Sequence, residues 1–303
     1  MVNKSLPYVS VIIPVFNDSA KLKICLQKLE IQTYSQELYE IIVVDNNSTE
    51  NIREVATEFA GVKITIEQKQ GSYAARNKGI AIAKGEIIAF TDSDCIPAPD
   101  WIERGVETLQ TTPNCGLVGG KIELVFKEQK KPNGAELFDS LNCLQQKHYI
   151  EQKHYGATAN VFTYKEILET VGLFNTNLKS GGDLEWGRRV FAAGYQQVYG
   201  ENVRIAHPAR SSLQELKKKF TRLVEGKYVL HNLKDKPLLV FLKELYWDFK
   251  PPFKEIWGIV SNNKSIPSIR QRLAYIYVFL TLRFVTAYRK AQLYFSKPSK
   301  TSI

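Results

Sequence analysis

Short apolar runs rich in β-branched residues alternate with helical segments through the N-terminal part of the chain. Residues 9–16 and 40–44 are such runs; the first is predicted to stop at Pro14, and both lead into polar, loop-forming residues. Between them, residues 19–33 carry leucines at spacings of four and three, as on one face of an amphipathic helix. The alternation continues with helices over residues 51–60 and 74–83 and strands over 62–67 and 87–91. This order predicts an α/β fold with a central, mainly parallel, Rossmann-like sheet and helices on both faces.

Polar side chains follow three of the predicted strands at their carboxyl ends. Asn17 follows the first strand, Asp45 ends the second, and Asp92 follows the strand over residues 87–91. Ligands of parallel α/β sheets bind outside the carboxyl ends of the strands. We therefore expect Asn17, Asp45 and Asp92 to be neighbours in space at a ligand site.

Asp92 and Asp94 follow an apolar strand with one residue between them. Carboxylates at positions i and i+2 can converge where the chain turns after a strand, and oxygen ligands favour Mg²⁺ or Mn²⁺ over zinc. Asp and Ser are also common in ordinary turns. The pair by itself therefore fits either a divalent cation site or a turn.

Several short motifs follow one another in a fixed order between residues 14 and 195. They are Pro14-Val15-Phe16-Asn17, Val43-Val44-Asp45-Asn46-Asn47-Ser48-Thr49, Gly71-Ser72-Tyr73-Ala74-Ala75-Arg76-Asn77-Lys78-Gly79, Thr91-Asp92-Ser93-Asp94, Gly156-Ala157-Thr158-Ala159-Asn160, Val171-Gly172-Leu173-Phe174, Ser180-Gly181-Gly182-Asp183-Leu184-Glu185-Trp186 and Ala192-Ala193-Gly194-Tyr195. Over about residues 8 to 210 this order resembles the family 2 glycosyltransferases. The resemblance implies a GT-A fold, a nucleotide-sugar donor and inversion at the anomeric carbon. It also divides the chain into a catalytic domain over residues 1–210, with a nucleotide half to about 120 and an acceptor half from 121, and a helical region over 211–303.

The resemblance assigns roles to the residues at the strand ends. Asp94 is expected to bind Mn²⁺ or Mg²⁺, with Asp92 near both the ribose and the metal. Asp45 is expected to accept a hydrogen bond from the base, which favours a UDP-sugar over GDP or dTDP donors. The expected nucleotide-binding set is Pro14, Phe16, Asn17, Asp45, Arg76, Asp92 and Ser93. Without the resemblance, Asp45 fits a turn or helix-capping residue equally well, and Arg76 fits a solvated helix residue.

An inverting transfer needs a base that removes a proton from the acceptor hydroxyl. The family places this base in a Glu-Asp pair that opens a helix, and the motif alignment puts Asp183 on the aspartate. Gly182 stands where the glutamate is usual, which is a departure from the family pattern. Glu185 is the rival base, although its spacing from Arg188 and Arg189 also fits a helix ion pair. Asp183 in turn fits a helix N-cap.

The remaining metal-ligating residue types form few patterns. His207 follows a predicted strand where relatives sometimes supply another metal ligand, and its alternative role is structural. The four cysteines have no Cys-x-x-Cys spacing, which favours a reducing compartment over a disulfide framework or a zinc site. The apolar run at residues 9–16 is interrupted by Ser10 and Pro14 and is not typical of a signal peptide. We therefore expect a cytoplasmic protein.

The positive charge of the chain is concentrated in its last part. The formal net charge is −2 over residues 1–210 and +12 over 211–303. The latter region begins with a basic helical segment at residues 217–219, and two prolines within 249–254 are expected to break a helix. An uncharged run of ten residues, 273–282, is shorter than the ~20 needed to span a bilayer. The region fits either peripheral attachment to an anionic cytoplasmic membrane leaflet, near a lipid-linked or nascent glycan acceptor, or a soluble appendage packed on the catalytic domain or in a homo-oligomer.

Three other classes of function fit less well. A nucleotidyltransferase would carry a glycine-rich basic loop after its first strand, where this chain has Pro14 to Ser19. A nucleic-acid-binding protein would carry a recognisable reader motif, and none is present in the sequence. A catalytically inactive nucleotide-sugar-binding protein is the alternative that Gly182 motivates.

Overall fold

The computed structural model describes residues 6–128, 131–231, 236–261, 266 and 268–296. These residues divide into two compact units. The first unit takes the described residues of 1–125, 144–178 and 182–208, and the second takes those of 126–143, 179–181 and 209–303. The second unit therefore combines the basic C-terminal region with two segments from the middle of the chain.

The first unit is built around one mixed sheet, to which the described residues contribute eight strands in the order β3-β2-β1-β4-β7-β6-β8-β5. Neighbours from β3 to β4 are parallel, and β6 is parallel to β8, whereas β7 is antiparallel to both β4 and β6 and β5 is antiparallel to β8. The strands are β1 (Val9–Val15), β2 (Tyr39–Asp45), β3 (Val62–Ile66), β4 (Ile87–Thr91), β5 (Ile96–Pro97), β6 (Cys115–Val125), β7 (Asn160–Tyr164) and β8 (Gln196–Pro208). The predicted α/β architecture is confirmed.

Helices connect these strands. The first three lie where the apolar spacing predicts them: α1 (Ser19–Glu30), α2 (Ile52–Thr57) and α3 (Ser72–Ile82). They are followed by α4 (Trp101–Thr111), α6 (Gln146–His148) with a π-helical turn (Tyr149–Lys153), α7 (Lys165–Val171) and α8 (Gly182–Ala192), while α5 (Gly134–Asn142) belongs to the second unit. In α1 the leucines at 22, 26 and 29 are buried, as the spacing predicts.

Pro14 does not end the first strand, contrary to the sequence prediction. It is buried inside β1 and aligns with Val44 of β2. The pairing between β1 and β4 ends at Ile12 and Phe90, so Pro14 lies beyond that ladder. Proline lacks an N–H donor, and at this position the missing donor removes no hydrogen bond between β1 and β4.

The core of the first unit is closely packed around Phe162 of β7. The Phe162 ring lies 4.8 Å from the Trp101 ring, and both side chains are fully buried. A β-carbon added to Gly105 of α4 would lie 2.4 Å from Phe162 ring atoms. Helix α4 therefore reaches the sheet only because residue 105 has no side chain.

The second unit is helical, with α5 joined by α9 (Leu213–Leu230), α10 (Leu238–Phe249), α11 (Phe253–Ser261) and α12 (Ile269–Phe295). The break between α10 and α11 confirms the prediction made from the prolines. Phe138 of α5 packs against Phe220 of α9 and Tyr275 of α12, each with ring centroids 5.6 Å apart.

The fully buried carboxylate of Asp139 pairs with Lys219 at 3.0 Å and Arg210 at 3.2 Å, which compensates its charge. Within the described residues, no helix is both long and apolar enough to cross a membrane.

Replacing Gly105 with alanine is expected to destabilise the first unit. The new methyl group would overlap the Phe162 ring, and overpacking of this kind costs about 1–3 kcal/mol. Thermal unfolding should show a lower Tm, by roughly 2–4 °C per kcal/mol. The matched control is Gly258→Ala, because Gly258 is also helical but has no atom within 4 Å of the added carbon. A Gly105→Ala variant as stable as the wild type would contradict this packing.

Candidate functional site

The ends of β1, β2 and β4 lie side by side because the sheet order places β1 between β2 and β4. Asn17 joins the first two of these ends. Its side-chain oxygen accepts hydrogen bonds from the backbone N–H and the hydroxyl of Thr49, at 2.7 and 3.1 Å, and its own N–H donates to the Ser48 hydroxyl at 3.0 Å. The backbone of Asn17 is left-handed, with φ +50°, which asparagine tolerates better than most residues. Asn17 thus ties the loop after β1 to the loop that follows Asp45.

Asp45 and Asn46 shape the end of β2. Asp45 Oδ1 accepts a hydrogen bond from the Ser48 N–H at 2.9 Å, which is the turn role considered for it. The Asn46 side chain donates to the carbonyls of Glu67 and Lys69 and accepts from the N–H of Gly71, at 2.7 Å. Asn46 therefore ties the end of β2 to the turn that starts α3. Asn46 was not among the predicted site residues, although its place directly after Asp45 in a strand-end motif was a usable signal.

Arg76 is buried rather than solvated and forms an ion pair with Asp92. The guanidinium is 3% exposed, whereas the Asp92 carboxylate is 34% exposed, so the pair has one buried partner and one that reaches the surface. Arg76 Nε is buried without a hydrogen-bond partner among the described residues. Ser93 is buried, and Phe16 is exposed beyond the end of β1. The predicted nucleotide-binding residues therefore differ in access: Phe16, Asn17 and Asp92 reach the surface, and Pro14 and Ser93 lie beneath it.

Asp94 and His207 face each other across the strand ends, with His207 Nε2 3.4 Å from Asp94 Oδ1. The other ring nitrogen, Nδ1, lies 2.8 Å from the carbonyl oxygen of Pro208. If Nδ1 donates its proton to that carbonyl, the neutral ring presents a lone pair on Nε2 to the carboxylate. Burial raises the pKa of Asp94, His207 lowers it and the neighbouring Asp92 raises it further. A carboxylate oxygen and a ring nitrogen at this separation fit the oxygen and nitrogen donor set of a divalent cation.

Cys95 lies beside this pair and was not among the predicted site residues. Its Sγ, a carboxylate oxygen of Asp94 and a ring nitrogen of His207 all lie within 4.8 Å of one another. Burial raises the pKa of the Cys95 thiol well above its usual range, and the charges of Asp92 and Asp94 raise it further. The thiol donates to the carbonyl of Ala159 at 3.8 Å. Cys95 is therefore a protonated, inward-facing neighbour of the acidic pair.

Asp183 lies in the first turn of α8 and contacts α3. The Tyr73 hydroxyl donates to Asp183 Oδ1 at 3.3 Å, and the Leu184 N–H donates to the same oxygen at 2.9 Å. Burial raises the pKa of the Asp183 carboxyl above its usual range, and the Leu184 N–H, Arg76 and the Tyr73 hydroxyl each oppose that shift. Asp183 is thus a carboxylate of increased proton affinity.

The Tyr73 ring leaves no room for a side chain at position 182, where the family usually has glutamate. A β-carbon added to Gly182 would lie 2.8–2.9 Å from atoms of the Tyr73 ring. That ring is 6% exposed, stacks on Phe174 with centroids 5.8 Å apart, and therefore has little room to move. The departure from the family pattern at Gly182 coincides with a tyrosine ring in the space that a side chain would need.

Glu185 forms the helix ion pair that its spacing indicated. Its two carboxylate oxygens accept from Arg189 Nε at 2.7 Å and Nη2 at 3.0 Å. Arg189 also donates to the carbonyls of Gly172 and Leu173, at 3.0 and 2.7 Å. Glu185 therefore holds an arginine that closes the loop after α7.

The raised pKa of Asp183 predicts that Asp183→Asn stabilises the protein at neutral pH. The folded state binds the Asp183 proton more tightly than the unfolded chain, so ionisation costs stability as the pH rises above the unfolded pKa of about 3.9. Asparagine keeps the Oδ1 acceptor without the charge. The Tm of the variant should exceed that of the wild type near pH 7, and the gap should shrink as the pH is lowered.

Glu185→Gln is the matched control on the same helix. It removes the charge from a bidentate ion pair, so its Tm should fall near pH 7. Equal destabilisation by both substitutions would contradict the difference in environment between the two carboxylates.

Comparisons with known proteins identify the family of the chain. The family model described as glycosyl transferase family 2 matches residues 10–172. Glycosyltransferase AglE of Haloferax volcanii is 42% identical over 224 residues, which cover 71% of this chain and 72% of that protein. A dolichyl N-acetyl-alpha-D-glucosaminyl phosphate 3-beta-D-2,3-diacetamido-2,3-dideoxy-beta-D-glucuronosyltransferase of Methanococcus voltae is 25% identical over 221 residues, 69% of each chain.

Solved structures show the same fold. The mannosyltransferase PcManGT of Pyrobaculum calidifontis, solved with GDP-Man and Mn²⁺, superposes with a TM-score of 0.64 at 19% identity and covers 97% of this chain and 89% of its own. GalNAc-T7, solved with UDP, GalNAc and Mn²⁺, gives a TM-score of 0.54 at 19% identity, covering 69% of this chain and 45% of its own. These likenesses confirm the GT-A fold. Together with the family match and the identity to AglE, they show that the chain is a glycosyltransferase of family 2.

Proposed function

We propose that the protein is an inverting, metal-dependent glycosyltransferase that moves a sugar from a nucleoside-diphosphate donor, preferably a UDP-sugar, to a hydroxyl group of an acceptor. The observation that carries the proposal is the presence of two acidic groups joined through α3. Arg76 of α3 pairs with Asp92, and Tyr73 of the same helix contacts Asp183. The Arg76–Asp92 pair suits the diphosphate side of the donor. Asp183 suits removal of a proton from the acceptor hydroxyl.

The strand ends are proposed to hold the nucleotide. Asp45 is the proposed partner of the base, which is the reason for preferring uracil, and Phe16 supplies an exposed aromatic face beside Asn17. Arg76 steadies Asp92, so that the carboxylate is fixed before the donor arrives. Preorganised groups of this kind stabilise developing charge without rearranging during the reaction.

Asp94, with Asp92 and His207, is the proposed ligand set for Mn²⁺ or Mg²⁺. The geometry between Asp94 and His207 supports this assignment because it sets a carboxylate oxygen 3.4 Å from a ring nitrogen whose partner nitrogen faces a carbonyl. A bound divalent cation supplies Lewis-acid stabilisation of the departing diphosphate. Asp92 and Asp94 place the cation site at the carboxyl end of β4, and the carbonyl of Pro208 keeps the His207 imidazole oriented.

Asp183 is the proposed base. An inverting displacement requires proton removal from the acceptor hydroxyl on the face of the sugar opposite the leaving group. The raised pKa of Asp183 increases its affinity for that proton, while the hydrogen bonds from Tyr73 and Leu184 fix one oxygen and the orientation of the carboxyl group. Glu185 is the weaker candidate because both of its oxygens are engaged by Arg189.

The proposed acceptor is a glycan or a lipid-linked glycan, as in the synthesis of cell-surface polysaccharides. Residues 211–303 are proposed to contact an anionic membrane surface on the cytoplasmic side, where lipid-linked acceptors are displayed. The concentration of basic residues there supports an anionic partner.

Transfer assays with Asp183→Asn and Glu185→Gln test the base. Asp183→Asn should lower turnover on the order of 10²–10⁴-fold, the usual contribution of a general base, while donor binding measured by calorimetry is retained. Glu185→Gln should keep most of its turnover. Analysis of the anomeric configuration of the product by NMR should show inversion. Loss of transfer in Glu185→Gln alone would assign the base to Glu185, and wild-type turnover in Asp183→Asn would remove Asp183 from the mechanism.

Replacement of Asp94 tests the cation site. In the wild type, Mn²⁺ should increase the thermal stabilisation produced by UDP more than that produced by GDP or dTDP. Asp94→Asn should abolish this Mn²⁺-dependent increase, because the substitution removes a charged oxygen ligand. Cys95→Ser is the neighbouring control and should keep it, since the thiol faces Ala159. A full Mn²⁺ response in Asp94→Asn would place the cation elsewhere.

A further inference from the structure

Helix α10 of the second unit exposes an apolar face. Leu239, Leu242, Tyr246 and Phe249 recur at spacings of three and four residues, and all four are exposed, Leu239 by 81% and Tyr246 by 62%. The helix packs through a different face, where Phe241 is buried. Most of the exposed row therefore lies on a different side of α10 from Phe241.

Helix α12 exposes a second apolar row along most of its length. Its exposed members follow one another at spacings of three and four residues: Leu273, Tyr277, Leu280, Phe284 and Tyr288. The buried residues of the same helix, Tyr275, Val278 and Leu282, belong to the core of the second unit. A row of this kind, on the side away from the core, is unusual for a helix whose outer face meets only water.

The two rows meet where the Phe249 ring contacts the edge of the Phe284 ring, with centroids 5.9 Å apart, which joins α10 to α12. Helix α11 follows α10 and exposes two further aromatic side chains, Phe253 and Trp257, by 74% and 73%. We call the two rows together with Phe253 and Trp257 the aromatic face.

Basic groups accompany the aromatic face. The Lys250 ammonium lies 4.4 Å from the centroid of the exposed Trp247 ring, and Arg283 donates to the Lys250 carbonyl at 3.2 Å. Lys243 and Lys254 are also exposed. Glu244 and Glu255 are exposed as well, and residues 238–261 carry three basic and three acidic residues, whereas α12 carries five basic residues and no aspartate or glutamate. An occupant of this face must therefore accept apolar side chains along all three helices and the positive charge that α12 contributes.

We propose that the aromatic face docks on an anionic lipid surface, with α10, α11 and α12 lying in the interfacial layer rather than crossing it. Aromatic and aliphatic side chains with nearby Lys and Arg are the composition of helices that lie in the membrane interface, and Trp and Tyr favour the headgroup region. Basic residues near the surface add electrostatic attraction to anionic lipid. A second copy of the chain would instead bring two equally basic faces together.

This inference rests on the membrane partner proposed above and gives that partner a defined surface. It does not depend on transfer chemistry, since the aromatic face lies wholly in the second unit. A failure of vesicle binding would leave the assignments of Asp94 and Asp183 intact, and an inactive enzyme that binds vesicles would leave the docking surface intact.

Vesicle flotation with the full chain tests the proposal. Vesicles of phosphatidylcholine with phosphatidylglycerol should carry the protein upward, and pure phosphatidylcholine vesicles should carry much less. The double variant Phe253→Ser and Trp257→Ser should bind at least about tenfold more weakly, because two of the most exposed aromatic groups are removed. The matched control is Ile31→Ser, which removes an apolar side chain of 57% exposure in the first unit and should bind as the wild type does.

Tryptophan fluorescence provides an independent readout. Trp101 and Trp186 are fully buried, so a blue shift on adding anionic vesicles would report on Trp247 and Trp257. The shift should weaken as salt is raised, since screening reduces the attraction of exposed charges. Equal flotation of the wild type and the double variant, or no flotation of the wild type at low salt, would overturn the proposal. Vesicle-independent dimers that the double variant dissociates would identify a second copy as the occupant and would also overturn it.

Discussion

Helix α3 is the element on which the geometry of the site depends. Tyr73 in its first turn contacts Asp183 of α8, and Arg76, about one turn later, pairs with Asp92 after β4. The start of this helix is fixed by Gly71, whose φ of +127° strains any other residue and whose N–H is held by Asn46. One helix therefore sets the positions of both acidic groups, and a small shift of its N-terminus would move both.

The sheet and the grouping of three polar residues at neighbouring strand ends could be predicted from the sequence because local patterns determine them. β-Branched strands alternating with helices placed Asn17, Asp45 and Asp92 at neighbouring strand ends, and the structure puts those ends side by side. Strand β7, which is antiparallel to β4, and strand β8, which is parallel to β6, were harder to anticipate, since their partners are far away in the sequence. The same is true of the grouping of residues 126–143 with the C-terminal helices, which depends on α5 packing against α9 and α12.

The environment of Asp183 could not be read from motifs. Asp183 and Glu185 are two residues apart on one helix, yet burial raises the pKa of Asp183 while Arg189 binds both oxygens of Glu185. The pairing of Glu185 with Arg189 follows from their spacing on α8, whereas the contact of Asp183 with Tyr73 depends on the position of α3, which the sequence pattern does not give. Gly182 is a similar case: the family pattern marks it as a departure, and only the Tyr73 ring supplies a physical reason.

The most direct test of this account is a crystal structure of the protein with Mn²⁺ and a non-transferable UDP-sugar. The account predicts the metal bound to Asp94 and the diphosphate, with Arg76 still paired to Asp92 and the Asp183 carboxylate facing the anomeric carbon on the side opposite the diphosphate. A diphosphate bound away from Asp94, or an anomeric carbon that Asp183 does not face, would contradict it.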